Sequence, residues 1–355
     1  MSIKSLSLFN ININNTRLCL SFAIMLIFGL LLCVGSTTTL KAQDAEFSQF
    51  YAAPTYLNPA MIGFSDQPRF ILNYRHQYPG FGNAFMTLAT SYDQHFDRYN
   101  SSIGVSLFAD RTGTGGIYNT YGLNALYAYQ LQLSQNLMLK AGFQVGYLNK
   151  TLEWDKVILG DMIDPATGRP TLPSADNAPA TTSLHRFDLG AGALAYNESF
   201  YMGVAVKHIT QPGLSFTDSG DDENYLPARM VFHVGKVFYL GQKNVHETQF
   251  YISPNLLYVN QGKFNQINAG LYVGKNVLQG GLWYRHTLKN SDALIALFSV
   301  KLGMFKVGYS FDMNLGSVGT SASTHEISLI FDMGDNPETR KAARNRRNVE
   351  CPEIF

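Results

Sequence analysis

Phe305-Lys306-Val307-Gly308-Tyr309-Ser310-Phe311-Asp312-Met313 is the stretch on which the fold turns. Its odd-numbered residues are large and apolar, and its even-numbered ones are charged, hydroxylic or glycine. Successive side chains of a strand point to opposite faces, so a period of two with one apolar face predicts a strand. The same alternation recurs at Ile327, Leu329, Phe331 and Met333, at Ile267, Ala269, Leu271 and Val273, and at Ala141, Phe143, Val145 and Tyr147. Segments of about ten such residues separated by turn residues match a transmembrane β-barrel, although a soluble sandwich alternates in the same way.

Counting segments separates the two. Strands are predicted at 69–78, 84–93, 101–111, 117–133, 136–151, 185–197, 200–210, 228–240, 247–260, 264–275, 277–287, 291–302, 304–315 and 323–334. Fourteen is an even number, as a bacterial barrel with both termini on the periplasmic side requires. Connections after even-numbered strands are short, as at Ser134-Gln135, Glu198-Ser199, Lys275-Asn276 and Leu302-Gly303. Those after odd-numbered strands include 152–184, 211–227 and the Gly/Ser-rich 316–322. Short periplasmic turns and long outer loops give this parity, and a sandwich has no reason to sort its loops so. The expected fold is an all-β, antiparallel, up-and-down transmembrane barrel. Tyr78, Tyr118, Tyr121, Tyr239, Tyr251 and Tyr258 sit near strand ends, where interfacial girdles would place them. Small inward residues (Gly142, Gly146, Gly308) leave room in the lumen, and Trp283 and Arg285 narrow it.

Composition agrees. The 355 residues are 46% hydrophobic and 15% charged, with 24 Phe, 20 Tyr and 31 Gly. A mean hydropathy of −0.06 excludes a bundle of apolar helical spans. Lys4 and Arg17, the apolar run 18–34 and the small or polar run to Gln43 read as a secretory leader, residues 1–43, cleaved near Ala42 or Gln43. Losing Lys4, Arg17 and Lys41 takes the net charge from +1 to −2, so no nucleic-acid partner is expected. Of three cysteines only Cys351 lies beyond the leader, so no internal disulfide framework is expected.

Enzyme chemistry is not indicated. The eight His are scattered, without metal-ligand spacing on one face. Neither a G-x-S-x-G elbow nor a phosphate-binding glycine loop is present. Gly113-Thr114-Gly115-Gly116 reads as a loop tip. Asp161 and Asp164, and the cluster Asp218, Asp221, Asp222 and Glu223, read as solvated loop carboxylates. No catalytic residue, cofactor or metal is expected.

Two segments lie outside the strands. Residues 44–68 hold Phe47, Phe50, Tyr51 and Tyr56 without alternation, broken at Asn58-Pro59 and Gly63. Such a strip could plug the periplasmic mouth or offer a partner a docking surface. The tail, 335–355, carries Arg340, Lys341, Arg344, Arg346 and Arg347.

The first of these segments carries a resemblance. Asp44, Phe47, Ser48, Gln49, Tyr51, Leu57, Asn58, Pro59, Ala60 and Gly63 resemble the opening of the PorP/SprF family of type IX secretion system outer-membrane proteins. Asn73-Tyr74-Arg75, followed by Gln77-Tyr78-Pro79-Gly80, resembles that family's first strand, and Leu159-Gly160-Asp161 an element of its long loop. The resemblance spans the chain beyond the leader. It implies a barrel in the outer membrane of gliding or type IX-secreting Bacteroidota, working without catalysis. Its partners would be membrane lipid, periplasmic secretion components and the C-terminal domains of secreted adhesins, whose export or surface attachment it would assist. Asp44, Phe47, Ser48, Gln49, Tyr51, Asn58, Pro59, Gly63, Asn73, Tyr74 and Arg75 are the motif positions and candidate partner contacts. The competing expectation is a passive porin, which needs an open lumen with a charged constriction. The inward charges Lys306, Asp312, Glu326 and Asp332 form no obvious ring, which favours the first reading.

Overall fold

The computed structural model describes residues 44–333 except 66, 82–84, 114, 180, 217–223, 241–249, 289–291 and 317–322. The leader 1–43, the tail 335–355 and the carboxylates of 218–223 fall outside the described residues. The strands are β1 (Arg69–Gln77), β2 (Phe85–Phe96), β3 (Ser101–Thr112), β4 (Tyr118–Ser134), β5 (Leu137–Leu152), β6 (Ser183–Tyr196), β7 (Phe200–Lys207) and β8 (Arg229–Lys236). They continue as β9 (Phe238–Leu240), β10 (Phe250–Gln261), β11 (Phe264–Lys275), β12 (Leu278–Thr287), β13 (Ala293–Leu302), β14 (Phe305–Asn314) and β15 (Thr324–Asp332).

All pairings are antiparallel between sequence neighbours, and β1 pairs with β15 from Arg69↔Asp332 to Gln77↔Thr324. The sheet closes. β8 and the short β9 both pair with β10 and together make one staff of the wall, interrupted at Val237, so the barrel has fourteen staves. Val237 turns its N–H to Ser199 O instead, 2.6 Å away. Closure leaves no edge strand whose backbone groups would go unpaired in lipid.

The faces are inverted relative to a soluble protein. Outward residues are apolar and open, such as Val105 (46% exposed) and Leu282 (62%), while Lys140 (0%) and Glu326 (2%) are sealed inside. Trp283 and Arg285 point inward as expected. A sandwich would bury the apolar face, so this arrangement decides for a barrel whose outer surface suits hydrocarbon.

Loop lengths sort as expected. The connections 135–136, 197–199, 276–277 and 303–304 lie at one end and 153–182 and 208–228 at the other. The 262–263 turn is an exception, short at the long-loop end. β7 stops at Lys207 rather than continuing to 210, because His208 takes φ +55° and leaves the strand direction.

Residues 44–63 form a strap inside the barrel, reaching far beyond the plug of one mouth that was one of the two expectations for this segment. Asp44 N–H donates to Gln261 Oε1 (3.0 Å), at the long-loop end of β10. Gly63 N–H donates to Asp93 Oδ1 (2.8 Å), at the short-turn end of β2. The strap therefore runs the length of the lumen before β1 starts at the short-turn end. Its turns are Phe50–Ala52, Pro54–Leu57 and Pro59–Met61. Pro54 and Pro59 lack N–H groups and open helical turns, so this stretch cannot join the wall as another strand.

Candidate functional site: the strap in the lumen

Ser48 and Gln49 are held by charges from four staves. Glu326 of β15 accepts the N–H of Ser48 on Oε1 (2.7 Å) and the N–H of Gln49 on Oε2 (2.8 Å). Gln49 Nε2 donates to the Glu326 carbonyl (3.2 Å). Ser48 Oγ donates to Asp312 of β14 and accepts from Arg75 Nη1 of β1 (2.9 Å) and Arg285 Nη2 of β12 (2.7 Å). One hydroxyl has one proton and two lone pairs, so this serine is saturated. The ions balance as well: Arg75 sits 2.6 Å from Glu326, and Arg285 3.2 Å from Asp312. All four are nearly sealed from solvent, where an unpaired charge would be very costly. A charged cluster from neighbouring staves therefore exists, contrary to the reading that found no ring. It serves the strap.

Aromatic rings fill the space beside it. Phe50 lies 5.1 Å from Trp283, and Tyr51 meets Tyr201 edge-on at 5.6 Å. Phe47 meets Tyr56 edge-on at 5.2 Å, and the Lys207 ammonium stands 4.4 Å over the Tyr56 ring. Such edge and cation contacts suit the ring quadrupole. Phe47 and Tyr51 are each 3% exposed.

Asn58 is the pivot. Its Oδ1 accepts from Ala60 N–H (2.9 Å), capping the next turn, and its Nδ2 donates to the carbonyls of Ala193 and Val204 (3.2 Å each). The wall makes room by omission. A Cβ at Gly192 would collide with Asn58, and one at Gly142 with the Pro59–Ala60 peptide. Gly63 has φ +63° and lies against Ser102, so a side chain there would be both strained and crowded. Lys140 donates to Ile62 O and, at 3.2 Å, to Gly63 O, while Asp93 pairs with Arg69 at 3.1 Å.

At the long-loop end His208 lies between two carboxylates, with Nε2 2.7 Å from Asp44 and Nδ1 2.9 Å from Asp188. Burial pulls its pKa down, but the charge of Asp44 and the contacts to both acids outweigh that and leave it raised to about 9. Glu46 pairs with Arg229 at 2.8 Å.

Of the motif positions, Asp44, Phe47, Ser48, Gln49, Tyr51, Asn58, Pro59, Gly63, Asn73 and Arg75 all meet at this strap. Asn73 Nδ2 reaches Ala52 O (3.0 Å) and Ser328 Oγ (2.8 Å). Tyr74 does not: it faces outward, 37% exposed, toward Met86. Reading the sequence missed Asp93, Lys140, Asp188, His208 and Arg229 as strap contacts. Their one visible signal is a charge on the polar face of a strand, or just beyond its end.

The carboxylates of loop 153–182 shape turns. Asp161 accepts from Ala175 N–H (2.7 Å) and Ser174 Oγ (2.8 Å), and Asp164 from Ala166 N–H (2.8 Å) and Thr167 Oγ1 (2.9 Å). These bonds hold both pKa values below the ordinary carboxylate range. Among the described residues no group of three His, Cys, Asp or Glu is placed to hold a metal ion.

The family model for the type IX secretion system membrane protein PorP/SprF matches residues 39–331, covering strap and barrel together. The chain belongs to the PorP/SprF family. The PorP/SprF match thus takes in the strap that the lumen encloses as well as the staves around it. Among curated proteins none is similar enough to count as a relative. Similar solved structures are barrels. The outer membrane protein Omp33 of Acinetobacter baumannii is 13% identical at a TM-score of 0.42, covering 76% of this chain and all of Omp33. The monoaromatic hydrocarbon channel CymD is 12% identical at 0.45, covering 79% of this chain and 93% of CymD. The toluene transporter TodX of Pseudomonas putida is 11% identical at 0.42, covering 82% and 94%. At these identities the likeness is one of fold.

Proposed function

We propose that this protein is a non-enzymatic outer-membrane component of the type IX secretion system. It assists export of secreted proteins, or holds adhesins at the cell surface through their C-terminal domains, and in a gliding cell it would serve motility. The observation that carries this reading is the strap: a PorP/SprF lumen closed by the family's own motif works through protein contacts rather than solute flow. The closed ladder and open apolar belt support a place in the outer membrane, with loops 153–182 and 208–228 outside and the short turns in the periplasm. With Phe47 and Tyr51 sealed in the lumen, contacts to periplasmic components fall to the short turns and the tail 335–355. Cleavage near Ala42 or Gln43 would start the mature chain at the strap.

The test is a deletion strain assayed twice. Loss of one or more surface proteins with unchanged uptake of small solutes supports the reading. Slowed solute uptake with surface proteins in place would overturn it.

A further inference from the structure

The wall closes without the strap. Each stave is hydrogen-bonded to two neighbours, and the strap contributes no ladder pair to any of them. It is tied by side chains: Glu326 at Ser48 and Gln49, Asn73 at Ala52, Lys207 at Thr55, Lys140 at Ile62 and Gly63. Withdrawing it would cost those bonds and break no ladder pair of the wall.

The surface behind it is built for water. Arg69, Arg75, Lys140, Lys207, Arg229 and Arg285 face inward, with Asp93, Asp188, Asp312 and Glu326 among them. Among the described residues, His233 Nδ1, Gln266 Nε2, Asn268 Nδ2 and Asp312 Oδ1 are buried without a protein hydrogen-bond partner. Such atoms are stabilised by hydration, so they favour a wetted lumen over a sealed one. Gly142, Gly192 and Gly308 lack side chains where the strap lies. Filling by inward side chains is a property of about eight strands, well below fourteen. A cavity of ≈ 20 Å³ already separates Gln49 and Tyr51 from Gln279, Ser299 and Lys306.

We infer that the strap is the gate of a latent pore, and that moving it opens a water-filled passage for ions and small hydrophilic solutes through the barrel. The cationic excess of that lining predicts a preference for anions. Conduction in a reconstituted bilayer involves no secretion partner, so the inference stands or falls apart from the proposed role in secretion.

The experiment is single-channel recording of the purified full-length protein in a phosphatidylcholine bilayer bathed in KCl, with heat-modifiable migration as the check on folding. Wild type should be nearly silent. Gln49→Glu replaces the donor to the Glu326 carbonyl with a carboxylate and should raise the open fraction at least tenfold, with Cl⁻ permeating better than K⁺. Should Gln49→Glu fail to fold, Lys207→Gln, which releases Thr55 away from the charge cluster, takes its place. Steady conduction by wild type, or a folded Gln49→Glu or Lys207→Gln barrel as quiet as wild type, would overturn the gate.

Discussion

Glu326 binds two successive strap amides with its two oxygens while Arg75 neutralises it, so each partner depends on the other. Replacing Arg75 by Met leaves two carboxylates facing one guanidinium in a dry site. The expected loss is about 3 kcal/mol or more, since breaking a buried pair strands the remaining charge. It should show as a lower temperature for conversion of the heat-modifiable band, with Arg75→Met/Glu326→Leu recovering part of the loss. Equal stability of wild type and Arg75→Met would mean the cluster carries no such dependence. His208 gives a pH signature of the opposite sign to a carboxylate. Its pKa rises from 6.5 to about 9 on folding, so its contribution is fully present below pH 6.5 and disappears as pH rises through 9. The upper bound is on the order of 3 kcal/mol. In thermal unfolding in detergent between pH 6 and 10, the stability difference between wild type and His208→Asn should shrink as pH rises toward 9 and beyond. Parallel curves would remove His208 from the account.

At the scale of elements, the staves could be read directly and the strap could not. Period-two alternation and turn residues locate fourteen wall segments, because one face meets lipid and the other does not. Residues 44–63 have no period, and their partners lie as far off as Glu326, so their path depends on closure of the whole sheet. The Arg75–Glu326 pair is the plainest case: the two residues become cross-strand neighbours only when β1 meets β15. The break at Val237 and the early end of β7 were also hidden, being set by a bond to Ser199 and by the left-handed turn at His208. Placement inside the lumen favours the plug over the docking strip, the two roles first open to this segment. Phe47→Ala/Tyr51→Ala should lower barrel stability, by roughly 3 kcal/mol or more for the phenylalanine alone, and any barrel that still folds should co-purify with its usual partners. A fully stable double variant that loses those partners would return the strip to a docking role.

For the whole molecule, an even number of staves puts the start of β1 and the end of β15 at the same mouth, and a strap outside the barrel would keep the segment before β1 there too. The enclosed strap changes this. Its first described residue, Asp44, is bonded to Gln261 and His208 at the opposite mouth, the one bearing loop 153–182. A tag joined immediately ahead of Asp44 should therefore share the accessibility of that loop rather than that of the 135–136 turn. With intact cells and an impermeant label, tags ahead of Asp44 and within 153–182 should react, while a tag at 135–136 should react only after the envelope is opened. If the tag ahead of Asp44 instead behaves like the one at 135–136, the strap enters from the short-turn mouth and its course through the lumen is reversed. If the loop tag is the protected one and the turn tag reacts, the barrel sits the other way up in the membrane.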